Sequence, residues 1–114
     1  MAIGVDIEDI SRFYGKSDDF LKRVFTPVEL EYCFKFSKPE SHLAARFCAK
    51  EAVVKALTGL NIVGVSYNEI EVYHNENSCP QIRILKNLEK EVLFQVSLSH
   101  DKTKAIAFVT AEVK

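Results

Sequence analysis

The chain has 114 residues, of which 47% are hydrophobic and 27% charged, and a net charge of −1 at pH 7. That supports one hydrophobic core and leaves no surplus for a second, and the near-neutral balance argues against nucleic acid or an anionic membrane surface as partner. No stretch approaches the ~18 apolar residues of a membrane span, no basic leader precedes an apolar run, and Cys33, Cys48 and Cys79 lack metal-ligand spacing, so free thiols and a cytoplasmic location are expected.

In chain order, Ile3, Val5 and Ile7 alternate with Gly4 and Asp6, which predicts a first strand with Asp6 on the face opposite the three large apolar side chains. Short helices are expected near Asp9–Tyr14 and Asp18–Val24. Thr26-Pro27-Val28-Glu29 combines a capping threonine, proline at the first helical position and glutamate at the third, and so starts a helix expected to reach Phe36. Ser37-Lys38-Pro39 breaks it. A long helix follows over Glu40–Thr58, with Gly59 as the residue that ends it.

The second half changes to period two. Ile70–Tyr73 and Gln81–Leu85 read as a hairpin around a loop over Asn75–Pro80. Lys86–Glu91 reads as a short helical turn. Leu93–Ser99 and Ala105–Val113 read as strands on either side of His100–Lys104. The expected fold is a single α+β domain over residues 1–114, with helices mainly in the first half packed on an antiparallel sheet formed mainly by the second half.

The long helix carries an unusual acid. At about 100° per residue, Glu51 falls in the middle of a mostly apolar arc that includes Ala44, Phe47, Cys48 and Val54, with Lys55 one turn on. The helix therefore reads as buried nearly all round, and a cation is expected to meet Glu51: a lysine, an arginine or a metal ion. An ordinary salt bridge to Lys55 would suit the spacing equally. Asp6 at the first strand, Glu51 in the helix and Ser97-Leu98-Ser99-His100 at a strand end together suit a magnesium ion holding phosphates, since magnesium favours one or two carboxylates plus phosphate oxygens. Physical reasoning on the residues alone reaches a metal–phosphate site and no further.

Four segments, in order, resemble the holo-acyl-carrier-protein synthases, the small trimeric group of 4′-phosphopantetheinyl transferases. They are Gly4-Val5-Asp6-Ile7, Phe25-Thr26-Pro27-Val28-Glu29, the run from Arg46-Phe47 through Ala49-Lys50-Glu51-Ala52 to Lys55-Ala56, and Ser97-Leu98-Ser99-His100. The resemblance implies transfer of phosphopantetheine from coenzyme A to a serine of acyl carrier protein, with release of 3′,5′-ADP, in fatty acid biosynthesis. It further implies Asp6 and Glu51 as ligands of Mg2+ (or Mn2+), and Asp6, Glu51, Lys55 and His100 as the catalytic set. Arg46, Lys55, Gly59, Pro80 and His100 would contact coenzyme A, Arg12 would dock the acidic carrier protein, and a homotrimer would build its sites between subunits. A metal-bound water is the expected immediate base, with Glu51 orienting it or accepting from it, and His100 is the alternative. The chain departs from the family pattern at Leu57-Thr58-Gly59-Leu60, Ser78-Cys79-Pro80 and Asp101, and carries Tyr67 where tryptophan is common. The rival readings are a non-catalytic carrier-protein-binding relative and a nucleotide-binding relative of the same fold.

Charge is uneven: residues 12–55 hold nine Lys or Arg against six Asp or Glu, whereas residues 1–11 hold only Asp6, Glu8 and Asp9. That suits an acidic partner on the helical half, and solvated helix faces explain it equally well.

Overall fold

The computed structural model describes residues Met1–Lys114. Strand β1 (Ala2–Asp9) leads through a 3-10 turn at Ile10–Phe13 to helices α1 (Asp18–Val24), α2 (Pro27–Cys33) and α3 (Glu40–Gly59). A second 3-10 turn (Tyr67–Glu69) precedes strands β2 (Ile70–His74), β3 (Pro80–Ile84), β4 (Val92–His100) and β5 (Lys104–Val113). The sheets are antiparallel, one of three strands in the order β1-β5-β4 and one of two, β2-β3. The α+β reading holds, with one addition: the first strand of the chain pairs with the last, Asp6 opposite Ala107.

Beyond one-residue shifts at strand ends, three readings differ from expectation. Helix α2 ends at Cys33 rather than Phe36. Gly59 is the last residue of α3, and the left-handed position after the helix is taken by Asn61 (φ 62°). Lys86–Glu91 forms bends, not a helical turn. Asparagine is the side chain that best tolerates a positive φ, which explains how it replaces glycine in that role.

Helix α3 lies across the inner face of the three-stranded sheet. The residues beneath it are small: Ala105, Ala107 and Ala111 of β5 are fully buried, and Gly4 of β1 meets the helix backbone itself. A Cβ built on Gly4 would stand 1.9 Å from the Ala52 carbonyl oxygen. The first strand therefore turns its small and polar side chains toward the helix and its large apolar ones outward. Ile3, Val5 and Ile7 are exposed, beside Ile106 and Phe108 of β5.

Helix α3 is not buried all round. The run Leu43–Lys50 is, but Glu40, Ser41 and His42 before it are half-buried, as are Glu51 and Val54 after it, and Lys55 and Thr58 are exposed. The arc centred on Glu51 runs out from under the sheet toward the C-terminus. The fully buried charges are elsewhere, at Lys50 and Glu29. Thr26 and Glu29 form the expected capping box, with Thr26 N donating to Glu29 Oε1 at 2.9 Å. Glu29 Oε1 also pairs with Lys50 Nζ at 2.7 Å, and its Oε2 accepts from Val72 N at 2.8 Å. Lys50 Nζ donates in addition to the carbonyls of Tyr67 and Ile70. One ion pair thus ties α2, α3 and β2 together, with its hydrogen-bonding groups satisfied as burial demands.

Candidate active site

Asp6 is carried to α3 by the close seat of Gly4 on Ala52, two residues before it on the same strand face. Its side chain is 12% exposed. Oδ1 faces Lys55 Nζ at 3.4 Å, and Oδ2 is buried without a hydrogen-bond partner. Burial first, then the neighbouring Glu8 carboxylate, raise the Asp6 carboxyl to about 6 against the opposing pull of Lys55. An unpartnered buried carboxylate oxygen is costly, and a cation would satisfy it.

Lys55 turns to β1 rather than along its helix: Nζ donates to the Val5 carbonyl at 2.9 Å as well as facing Asp6. The i,i+4 salt bridge to Glu51 is therefore not made. What meets Glu51 is not a cation but the Tyr67 hydroxyl, which donates to Oε1. That hydrogen bond, then burial, push the Tyr67 phenol up to about 12. Asp6–Lys55 and Tyr67–Glu51 are two pairs, and the Asp6 charge, which also raises the Tyr67 phenol, relates them on the β1 side of α3. No group of three or more His, Cys, Asp or Glu side chains could enclose a metal ion. A carboxylate pair with a free buried oxygen fits a hard cation completed by water and phosphate rather than an all-protein cage.

A second cluster lies at the N-terminal end of α3, and it contains Arg46 and His100. Arg46 is 2% exposed and has no carboxylate partner. Its guanidinium lies 4.2 Å over the Tyr32 ring, donates to the His42 carbonyl at 3.2 Å, approaches His74 Nε2 at 3.4 Å, and leaves Nε unpaired. His74 stacks on Tyr32 and His42 on Phe36, with centroids 4.5 and 3.8 Å apart. His100 closes the group, its ring 6.0 Å from that of His42. Burial first, and the Arg46 charge next, lower both His42 and His74. Pro80 joins this side, since it pairs with His74 across the β2-β3 hairpin. The structure therefore divides the expected site residues into two groups on one chain. Gly59 belongs to neither: it abuts Ala2, where an added Cβ would meet Ala2 Cβ at 3.1 Å.

Arg12 stands at the first cluster. Its Nη1 pairs with Glu8 Oε1 at 2.6 Å, and its guanidinium lies 4.9 Å from the centroid of Phe47, the ring that packs on Tyr67. Sequence reasoning missed Tyr67 as a partner of Glu51, Lys50 as the buried cation, and His42 and His74 as companions of Arg46. A lysine directly before Glu51 in a helix of alanines was the available signal for Lys50.

Two carboxylates and a lysine where a helix crosses a strand form a charge set that can hold a cation and phosphate oxygens. The family is shown by comparison: residues 2–109 match the model of the 4′-phosphopantetheinyl transferase superfamily, and the chain belongs to that family. It is 41% identical over 111 residues to the holo-[acyl-carrier-protein] synthase of Thermodesulfovibrio yellowstonii, covering 94% of each chain. With that of Cytophaga hutchinsonii it shares 42% identity over 120 residues, covering 94% of this chain and 93% of the relative. Among solved structures, the Bacillus anthracis holo-(acyl-carrier-protein) synthase in complex with coenzyme A (3′,5′-ADP) superposes with a TM-score of 0.80 at 30% identity, over 99% of this chain and 96% of that one. The Helicobacter pylori enzyme in complex with coenzyme A gives 0.81 at 30% identity, over 96% and 99%.

Proposed function

We propose that this chain transfers the 4′-phosphopantetheine group from coenzyme A to a serine of apo acyl carrier protein, releasing 3′,5′-ADP, as a cytoplasmic step of fatty acid biosynthesis. Family membership and relatives that are holo-acyl-carrier-protein synthases support the reaction. The single observation that carries the chemistry is the unpartnered, buried Asp6 Oδ2 beside Lys55. Asp6 and Glu51 would hold Mg2+, with Mn2+ as a substitute; bound there, the ion supplies positive charge to a pyrophosphate. Lys55, half-exposed and anchored to β1, adds a fixed charge for phosphate oxygens. With one oxygen held by Tyr67 and the other toward the cation, Glu51 would orient a neighbouring water that takes the proton of the attacking serine. Such transfers need positioning and charge neutralisation more than covalent help from the protein.

Arg46, His100 and Pro80 would serve the nucleotide end of coenzyme A in this reading, while Gly59 stays packed on Ala2, away from that cluster. Arg46, buried beside His74 and the His42 carbonyl, would act on a phosphate as a fixed charge from within the fold. No contact joins this cluster to Asp6 within one chain, which supports sites completed by a second subunit. The exposed sheet face of Ile3, Val5, Ile7, Ile106 and Phe108 supports the same assembly, a closed homotrimer. Light scattering tests it: Phe108→Glu on that face should give monomer and lost transfer.

The function is tested by incubating the chain with coenzyme A, magnesium and apo acyl carrier protein and weighing the carrier by mass spectrometry. Gain of one phosphopantetheine group, abolished by chelator, is expected. A carrier that binds but keeps its mass would favour the non-catalytic reading.

A further inference from the structure

Tyr67 is fixed at its backbone and at its ring. Its 3-10 turn is closed by a capping box between Ser66 and Glu69, and its carbonyl accepts a 2.8 Å hydrogen bond from the buried Lys50 ammonium. Its ring packs on Phe47 with centroids 5.3 Å apart. Placed in this way, the hydroxyl donates to Oε1 of Glu51.

Glu51 needs such a partner. It sits where α3 emerges from the sheet, half-buried, on a side chain with several rotamers to lose on ordering. Lys55, its natural helical partner, is turned away to Val5 and Asp6. No salt bridge holds Glu51. A donor on one carboxylate oxygen selects a rotamer and leaves the other oxygen for a ligand. The nearby Asp6 carboxylate likewise has one oxygen engaged, by Lys55, and one without a partner.

We propose that Tyr67 is a positioning residue for Glu51: by donating to Oε1 it holds the carboxylate so that Oε2 serves the divalent cation shared with Asp6. The proposal rests on the reading of Asp6 and Glu51 as cation ligands. Hydrogen bonds behind ligating carboxylates are worth about 10–100-fold in metal affinity, because they fix the orientation in which the ligand binds.

The test is Mn2+ affinity of the full chain in the presence of coenzyme A, read from the electron paramagnetic resonance signal of free Mn2+. Tyr67→Phe removes the hydroxyl and keeps the ring on Phe47. It should weaken Mn2+ about tenfold, lower kcat, leave KM for coenzyme A unchanged, and leave the melting temperature of the metal-free protein unchanged. In a Glu51→Gln background the same change should have no further effect on Mn2+. Tyr67→Met, which fills the space without a donor, carries the same expectations if the phenylalanine variant does not fold. Wild-type Mn2+ affinity in either folded variant, or an equal loss in the Glu51→Gln background, overturns the role of Tyr67. A wild-type chain that binds no Mn2+ with coenzyme A present overturns the cation site as well.

Discussion

Lys50 and Glu29 form an ion pair at 2.7 Å with both side chains wholly shielded from solvent, and neither is a candidate for chemistry. The pair holds the turn that carries Tyr67 and the end of β2. Lys50→Met leaves Glu29 charged and alone, and should destabilise the fold by about 3–5 kcal/mol. Adding Glu29→Gln should recover part of that loss, since it removes the stranded charge. Urea denaturation of the two variants measures the difference. A Lys50→Met chain as stable as the parent would show that the pair contributes no net stability.

Gly4 leaves no room for a side chain. Gly4→Ala puts a methyl 1.9 Å from the Ala52 carbonyl, on backbone that cannot swing aside. The strand and helix must part, at a cost of about 1–3 kcal/mol or more. Transfer should fall further than stability does, because Asp6 rides on the same strand face. Melting temperature and single-turnover rate, measured together, check this.

Asp6→Asn removes a charge from a position where burial outweighs the lysine beside it. The metal-free chain should melt higher than wild type and lose nearly all transfer. Glu51→Gln should also lose transfer, with a smaller change in melting temperature because Glu51 is only half-buried. Near-normal turnover of either variant at saturating magnesium would remove the proposed cation site.

The histidines give a pH signature. His42 and His74 hold their protons less firmly in the fold than in the unfolded chain, through burial and the charge of Arg46. Between their folded values and the ordinary value of 6.5, the unfolded chain binds more protons. Their contribution is therefore present above pH 6.5 and is lost as pH falls through the lowered folded values. Asp6 acts in the opposite sense, its contribution being present below 3.8 and lost as pH rises through about 6. Subtracting the stability profile of His42→Gln/His74→Gln from that of wild type isolates the histidine part. The wild-type advantage should shrink on acidification; a constant difference between pH 7.5 and 5 would contradict the assignment, as would any growth of it.

Arg12 pairs with Glu8, but that pair is half-exposed and worth at most about 1 kcal/mol. Arg12→Glu should raise KM for carrier protein about tenfold, the equivalent of about 1.4 kcal/mol, with KM for coenzyme A unchanged. Wild-type carrier affinity should fall with salt. An unchanged carrier KM with a lowered melting temperature would reduce Arg12 to its intramolecular partner.

Local signals carried the fold well, and the site less evenly. The capping box at Thr26 and Glu29 was legible because both its partners lie within one turn. The further roles of Glu29 were not, since they depend on Lys50 and Val72, brought near only by tertiary packing. Helical periodicity grouped Glu51 with apolar neighbours, but periodicity says which residues share a face and not where along it the sheet stops. Likewise, alternation in β1 separated Asp6 from Ile3, Val5 and Ile7 without saying which side is inward. The small side chains of Gly4 and the β5 alanines decide that, because α3 can approach only the small face. Tyr67 lies in a segment without periodicity, so nothing in the sequence tied it to Glu51.

The first strand therefore encodes two instructions on alternate residues. Gly4 and Asp6 address the interior, as helix seat and proposed cation ligand; Ile3, Val5 and Ile7 address the outside, as an exposed apolar face. Because the period is two, inserting or deleting one residue ahead of Asp6 would not shift these roles but exchange them. An isoleucine or valine would meet the helix backbone where glycine is required, and the aspartate would face outward among apolar neighbours. Seat, ligand and outer face would fail in a single step, whereas a substitution at β1 disturbs one of them at a time.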